Sequence, residues 1–353
     1  MELTERQKWA LYQLVKGLRD DKLEQQTLGG YAGTGKTTLI KYLTKFFPNF
    51  AVAAYTGKAA NVLRKKSIPA STIHSRIYKP FFDNGAVYFD LTDDPGCEGF
   101  IIDEASMVSK EIYEDLKEFG LPMVFVGDHG QLEPVDSNFN LMETPDYTLE
   151  EIHRNAGDIA KFAEHLRMGF NHRSFKNEDG LVEFLTAKKI SDATLESVDQ
   201  VICAFNKTKV EMNTRIRKIL GFEGVINVGE RIMCLRNNRA AGLFNGMQGK
   251  VVNLYEGKYG KKYMDFEFDG NVINDVWYET SNFGKETYKI HHGKDTPNPF
   301  DYAYTITAHK AQGDEWGKVL VIEQKCKNWS HKRWAYTAAS RAKEKLVWQP
   351  SPY

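Results

Sequence analysis

Gly30-Tyr31-Ala32-Gly33-Thr34-Gly35-Lys36-Thr37 fits the pattern G-x-x-x-x-G-K-[ST] without a mismatch. Its glycines let the backbone turn tightly and aim consecutive N–H groups at an anion at the start of the following helix, whose dipole adds to the attraction. Lys36 is then expected to neutralise the β- and γ-phosphates of a bound nucleotide and the Thr37 hydroxyl to ligate Mg²⁺. A glycine-rich turn matching by chance is the alternative, against which stand the helical pattern running to about Phe47 and the acids described next. The strand leading in, Gln25-Gln26-Thr27-Leu28, is more polar than a central parallel strand usually is.

Outward from this loop, a triphosphate site needs a carboxylate at the end of a neighbouring strand to hold Mg²⁺, with a base or water-positioning group beside it. Phe100-Ile101-Ile102-Asp103-Glu104 supplies both, Asp103 on the metal side and Glu104 to polarise the attacking water; the plain alternative is a strand ending in a solvated acid pair. Val124-Phe125-Val126-Gly127-Asp128-His129-Gly130-Gln131 is a second apolar strand leading into a tight polar loop, from which Gln131 reaches the γ-phosphate or its water. The same Gly-Asp step also reads as an ordinary turn.

The rest of the chain sets limits. Its 353 residues predict two or three domains. At 42% apolar and 27% charged residues the composition is globular, which excludes a disordered tail, a collagen-like fibre and a small disulfide scaffold. Cys97, Cys203, Cys234 and Cys326 lie far apart with no C-x-x-C pair, against a zinc ribbon and for free thiols in a reducing compartment. With no apolar leader and nowhere 18 apolar residues together, neither secretion nor a membrane span is indicated, and a cytoplasmic protein is expected. Lysine plus arginine equals aspartate plus glutamate at 47 each, yet the distribution is uneven. From Tyr31 to Pro80 nine basic residues meet no acid, and from Phe81 to Glu150 seventeen acids meet only Lys110 and Lys117.

Short apolar runs (Phe50 to Tyr55, Phe100 to Ile102, Met123 to Val126, Val201 to Phe205, Val319 to Ile322) alternate with helical stretches such as Lys110–Phe119, Ala156–Met168 and Lys207–Leu220. This is the β-α-β rhythm of parallel sheets covered on both faces. Two stretches break it. Around Asp83-Asn84-Gly85 two aromatic-rich arms predict a hairpin over about 76–98, because Asn-Gly between β-formers is a strong turn signal. Residues ~232–300, rich in Gly, Tyr and alternating apolar positions, predict a small antiparallel β unit inserted in the second half.

Taken in order, these motifs resemble the superfamily 1B helicases of the RecD-like group, over nearly the whole chain. LTERQ resembles the adenine-reading Q motif, with Gln7 at its key position. GYAGTGKTT matches motif I, AYTGKAA (54–60) motif Ia, STIHS (71–75) the next nucleic-acid-contacting motif, IIDEASM (101–107) motif II and GDHGQLEPV (127–135) motif III. LEEIHRN (149–155) resembles motif IV, YTITAHKAQGDEW (304–316) matches motif V and YTAASRAKEKL (336–346) motif VI. Departures are Tyr55 and Glu133 where the group usually has Pro, and Ser340 where it usually has Thr.

The resemblance implies an α/β fold of two RecA-like parallel-sheet P-loop domains with an inserted hairpin pin and an inserted small β-barrel. The first domain would span 1–75 and 99–150 with the pin at 76–98, and the second 151–231 and 301–353 with the barrel at 232–300. It implies nucleotide contacts from Gln7, Gly33, Thr34, Gly35, Lys36, Thr37, Thr38, Gly313 and Glu315, and arginines offered to the γ-phosphate by Arg154 and, as the finger, Arg341. It implies a strand groove lined by Thr56, Lys58, Thr72 and His74 on the first lobe and Thr305, His309 and Lys310 on the second. His74 and His309 as buried structural histidines, Arg341 as a solvated helix residue and the basic runs as plain solvated faces are the competing readings. Phe81, Phe82, Tyr88 and Phe89 would present flat faces to the last base pair, where stacking contributes ~1–3 kcal/mol per base, unless they pack on the first lobe.

The activity implied is ATP- and Mg²⁺-dependent translocation 5′→3′ on single-stranded DNA with unwinding of forked duplex. The implied motor is monomeric, away from membranes, in a bacterial or phage-infected cell, with replication or recombination proteins as possible partners. An ATP-gated nucleic-acid switch without processive unwinding is the alternative. A P-loop kinase is a third reading, which has no use for motifs V and VI.

Overall fold

The computed structural model describes residues 3–351 except 21, 84–85, 134–138, 152–156, 187–188, 239–240, 269, 292–295 and 328, with backbone alone at 58, 80–83 and 86–89. The chain divides into two compact units, Met1–Phe82 with Tyr88–Lys161, and Asp83–Val87 with Phe162–Tyr353.

The first unit runs α1 (Glu5–Arg19), β1 (Gln25–Gly30), α2 (Lys36–Phe46), β2 (Phe50–Ala54), α3 (Gly57–Lys65), β3 (Ala70–Thr72), α4 (Ile73–Ile77), β4 (Tyr78–Asp83), β5 (Ala86–Leu91), β6 (Gly99–Asp103), α5 (Lys110–Lys117), β7 (Met123–Gly127) and β8 (Tyr147–Leu149). Six strands form a sheet in the order β3-β2-β6-β7-β1-β8, every neighbouring pair parallel. Because successive side chains alternate faces, Ile101, Val124 and Val126 pack with α1 and α2 on one side, and Phe100, Ile102 and Phe125 pack with α5 on the other. β4 and β5 pair as a separate two-stranded sheet.

The polar strand β1 is buried rather than exposed, and most of its polar side-chain atoms find partners, the Gln26 oxygen being the exception. The Gln26 amide donates to the Leu14 carbonyl (3.1 Å), Gln25 accepts from the Tyr113 hydroxyl (2.7 Å), and the Thr27 N–H and hydroxyl both donate to one Asp146 oxygen (2.7 Å each). Side chains outside the strand thus supply what an apolar strand would not need.

Helix α6 (Asp158–Arg167) leads to the second unit, with β9 (Val182–Phe184), α7 (Asp192–Ser197), β10 (Gln200–Cys203), α8 (Asn206–Ile219), β11 (Arg231–Cys234), β12 (Gln248–Glu256), β13 (Lys262–Phe268), β14 (Asn271–Glu279), β15 (Asn298–Tyr302), β16 (Thr305–Thr307), β17 (Trp316–Ile322), α9 (His331–Ala339) and β18 (Ala342–Gln349). Its parallel sheet has the order β16-β10-β17-β18-β9, and β11 to β15 close into a barrel. Alternate barrel residues (Ile232, Val251, Met264, Phe266, Val276, Phe300) fill the interior. The fold class is therefore the one the sequence predicted: two parallel α/β sheets, a β-hairpin and a closed barrel.

The barrel is pinned to α8 by a buried ion pair. Lys209, 2% exposed, reaches Asp301 on β15 at 2.8 Å and the Lys285 carbonyl at 3.0 Å, and also bonds the Tyr288 hydroxyl. Tyr288 donates to the same Asp301 oxygen (2.7 Å), and burial followed by that carboxylate pushes its pKa up. Asp301 accepts further from the Gly284 N–H (2.8 Å), so no charge in the cluster is left uncompensated.

Candidate functional site

In the first sheet Gly29 pairs with Gly127, Ile102 with Phe125, and Ala54 with both Asp103 and Thr72. The turn after β1, the acids ending β6 and the loop after β7 therefore leave the sheet at the same end, where open α/β sheets bind their ligands. Gly33 (φ 84°) and Gly35 (φ 86°) occupy the left-handed region that the turn demands. Gly35 is the N-cap of α2 and brings no capping side chain, so the first-turn N–H groups are not taken up by a cap.

Lys36 folds over the loop, its ammonium donating to the carbonyls of Gly30 (2.6 Å) and Tyr31 (3.0 Å), and the Thr34 hydroxyl donates to the same Tyr31 carbonyl (2.9 Å). Thr37 and Thr38 are half-buried beside it. Gln7 is buried: its oxygen closes a capping box with the Thr4 N–H (3.0 Å), while its amide donates to the Thr34 carbonyl (3.0 Å), fastening α1 to the loop. Those bonds use one lone pair and one N–H of the Gln7 side chain.

Asp103 accepts the Glu104 N–H at 3.0 Å. Burial pushes its carboxyl up, opposed by that hydrogen bond and by the Lys36 and Lys66 ammonium charges. Glu104 sits at φ 55°, ψ 41°, a left-handed conformation that a non-glycine residue adopts at a cost. Beyond β7, Asp128 organises the loop: it accepts from the Gly130 N–H (2.9 Å) and from the Gln131 amide (3.2 Å), and both Asp128 and Gln131 are buried.

Thr56 and Thr72 are helix N-caps, accepting from the N–H groups of Ala59 and Ser75 at 3.1 Å each. A cap uses the hydroxyl oxygen, and the Thr72 hydrogen is also engaged, by the Ser75 hydroxyl (2.8 Å). His74 is half-buried between the rings of Tyr55 and Tyr78, with centroids at 6.4 and 5.3 Å.

In the second unit Arg341 lies between α9 and β18, 4% exposed. Its guanidinium donates to the carbonyls of Thr337 (3.0 Å) and Asp314 (3.2 Å) and to the Ser340 hydroxyl (2.8 Å), so it is neither solvated nor in a helix interior. Gly313 takes φ 78° and Glu315 is exposed. His309 packs edge-on against Trp329 (5.3 Å), and burial lowers its pKa. Lys310 donates to Asn245 (3.0 Å), its pKa lowered first by burial and then by Lys209.

Thr305 departs from expectation. Its side chain is fully buried, so it has no surface to offer a phosphate; Thr307 is the half-exposed hydroxyl of that strand. The strand is held instead by Asn213 on α8, whose amide accepts from the Thr305 N–H (2.8 Å) and donates to the Thr305 carbonyl (3.0 Å).

Arg154 lies outside the described residues, as do the side chains of Lys58, Phe81, Phe82, Tyr88 and Phe89. Sequence reasoning missed the Asn213 clamp, for which nothing local is a signal, and the bracing role of Asp128, which the D-x-x-Q spacing of a polar turn does suggest.

Residues 2–186, more than half of the chain, match the model of the AAA domain family. The chain belongs to that family. Residues 302–347 match the UvrD-like helicase C-terminal domain, which covers β16, the Arg341 turn and most of β18. Its sequence relatives are helicases of the superfamily 1B RecD-like kind. The ATP-dependent DNA helicase dda of Enterobacteria phage T4 is 29% identical over 253 residues, covering 62% of this chain and 57% of the relative. The ATP-dependent RecD2 DNA helicase of Deinococcus radiodurans is 25% identical over 355 residues, 90% of this chain and 46% of the relative. The chain thus spans about half the length of these curated relatives. Among solved structures, a Pif1 helicase complex on forked duplex DNA superposes with a TM-score of 0.66 at 23% identity, over 99% of this chain and 92% of the other. Bacteroides Pif1 bound to single-stranded DNA gives 0.66 at 20%, with the same coverage. These two likenesses establish the fold.

The AAA domain family implies ATP and Mg²⁺, and the residues present fit both. A Cβ on Gly30 would lie 2.7 Å from the Thr34 hydroxyl, so the loop closes only around glycine there, leaving backbone rather than side chains to line it. One threonine hydroxyl and one carboxylate, Thr37 and Asp103, are the hard oxygen donors Mg²⁺ takes when phosphates complete its shell. Among the described residues no cluster of three or more His, Cys, Asp or Glu forms an all-protein metal site, and no helix is long and apolar enough to cross a membrane.

Proposed function

We propose that the chain is an ATP-dependent DNA helicase that moves 5′→3′ on single-stranded DNA and separates duplex. The observation that carries this is the convergence of Lys36, Asp103, Glu104 and Gln131 at one end of three adjacent strands, β1, β6 and β7. Relatives named as DNA helicases, and structural neighbours described with single-stranded and forked DNA, support the polymer as substrate.

In this reading Gln7, Gly33, Thr34, Gly35, Lys36 and Thr38 hold the nucleotide, with Gly313 and Glu315 contributing from motif V. Thr37 and Asp103 hold Mg²⁺, which when bound neutralises charge on the phosphate oxygens. Glu104 takes the proton of the attacking water and Gln131 orients it. Arg154 and Arg341 bring positive charge to the transferred phosphoryl group, the kind of contribution worth ~10³–10⁵ in turnover where it has been dissected. Because Arg341 belongs to the second unit, hydrolysis depends on closure of two lobes, which we place at 1–75 with 99–150 and 151–231 with 301–353.

Thr56, Lys58, Thr72, His74, His309 and Lys310 then hold phosphates of the strand without reading bases. Residues 76–98 act as the separating pin and 232–300 as the barrel insert. The working unit is a monomer acting within the cytoplasm. Forked duplexes bearing a 5′ or a 3′ single-stranded tail test the reading: unwinding of the 5′-tailed fork alone, lost in Lys36→Ala, is expected. Preference for the 3′ tail would refute the direction, and phosphate release indifferent to single-stranded DNA would refute the motor.

A further inference from the structure

Tyr31 stands at an unspecified position of G-x-x-x-x-G-K-[ST] and His129 at one of D-x-x-Q, and neither is assigned a role by the motifs. Their rings nonetheless meet, with centroids 4.3 Å apart and planes at 42°. Tyr31 is 6% exposed and His129 half-buried, so the contact is largely withdrawn from solvent. Gly29 makes room for it: a Cβ there would lie 2.8 Å from His129 Nδ1, so only glycine lets the imidazole settle over β1.

Each ring is attached to a residue of the chemistry. On one side the Tyr31 carbonyl is the acceptor for both Lys36 (3.0 Å) and Thr34 (2.9 Å), so moving Tyr31 moves the cradle of the lysine. On the other, His129 lies within the turn that Asp128 braces through Gly130 (2.9 Å) and Gln131 (3.2 Å). A turn braced at both ends moves as a body, carrying Gln131 with it.

We infer that the Tyr31–His129 ring contact is a positioning element that ties the Gln131 loop to the phosphate loop, so that Gln131 is aligned only when the loop around Lys36 is in its working shape. Neither residue touches the reacting atoms; each acts through its neighbour. The inference rests on the reading of this site as an ATPase and adds the pair that sets Gln131.

A double-mutant cycle tests it, with Tyr31→Leu, His129→Leu and the pair, in steady-state ATP hydrolysis at saturating single-stranded DNA. Each single change is expected to lower kcat about two- to ten-fold, the range an aromatic contact commands, with KM for ATP moved by less than about two-fold. The double variant should be no slower than the worse single, and His129→Phe, which keeps a ring against Tyr31, should recover most of what His129→Leu loses. Losses that multiply in the double variant, or a change confined to KM, would overturn the inference while leaving the ATPase reading intact. Absence of DNA-stimulated hydrolysis in the native chain would overturn both. Should His129→Leu fail to fold, Tyr31→Leu against Tyr31→Phe decides the matter: equal kcat values would show that the ring is not required.

Discussion

Glu104 and Asp103 are adjacent carboxylates under opposite strains. The left-handed backbone at Glu104 costs about 1–3 kcal/mol that the surrounding packing must offset. Asp103 has the reverse difficulty, since its backbone is an ordinary strand end but burial disfavours its charge. Substitutions should therefore separate stability from activity. Glu104→Gln is expected to lower DNA-stimulated hydrolysis by about 10²–10⁴-fold with an unchanged melting temperature, whereas Glu104→Gly should lower it as far and melt higher. Asp103→Asn should also stabilise, with a pH signature. A carboxyl raised in the folded state binds its proton more tightly there, so it costs stability as pH rises through the unfolded value towards the folded one. The advantage of Asp103→Asn in chemical denaturation should accordingly vanish in acid and grow as pH rises; an advantage independent of pH would mean that the Asp103 carboxyl is not raised in the folded state. These residues were legible because both lie in one contiguous motif. The strain was not, since no sequence pattern marks a glutamate at positive φ.

Among the elements, β1 and β16 both depend on groups outside their sheets, β1 for its polar side chains and β16 for a missing strand partner. β16 has a neighbour on one side only, β10, which leaves the N–H and C=O of Thr305 facing α8. Asn213 meets both with a single amide, as another strand would. Asn213→Leu would orphan two buried backbone groups at about 1–3 kcal/mol each, and Asn213→Asp, which sets a buried carboxylate against the Thr305 carbonyl, should cost at least as much. Denaturant melts of the three proteins would rank them, and equal stabilities would remove the clamp from the account. The apolar runs at 50–55, 100–102, 123–126 and 319–322 announced their strands because a parallel strand buried on both faces is continuously hydrophobic. β1 reads poorly because Leu14, Tyr113 and Asp146 complete it from 12, 88 and 119 residues away. The run from Val201 to Phe205 overshot for a related reason: the strand stops at Cys203, and Phe205 is the N-cap of α8.

For the molecule as a whole, order along the chain was legible where spacing in depth was not. Motif order predicted two parallel sheets and a barrel, and the structure has them. It also placed Thr305 on a nucleic-acid groove, which burial denies, because a motif names positions without saying which face of a strand each occupies. The tail-polarity experiment belongs to this scale, since in the proposed function direction would be a property of both units and of no residue alone. The ion pair beneath the barrel gives the protein something further. Lys209 is the least exposed basic side chain among the described residues, with its ammonium held by Asp301, Tyr288 and a carbonyl. An amine-reactive reagent that modifies surface lysines within minutes should spare it as long as the β-barrel stays seated. Labelling at Lys209, read by mass spectrometry, would then serve as a built-in gauge of how often that module lifts away.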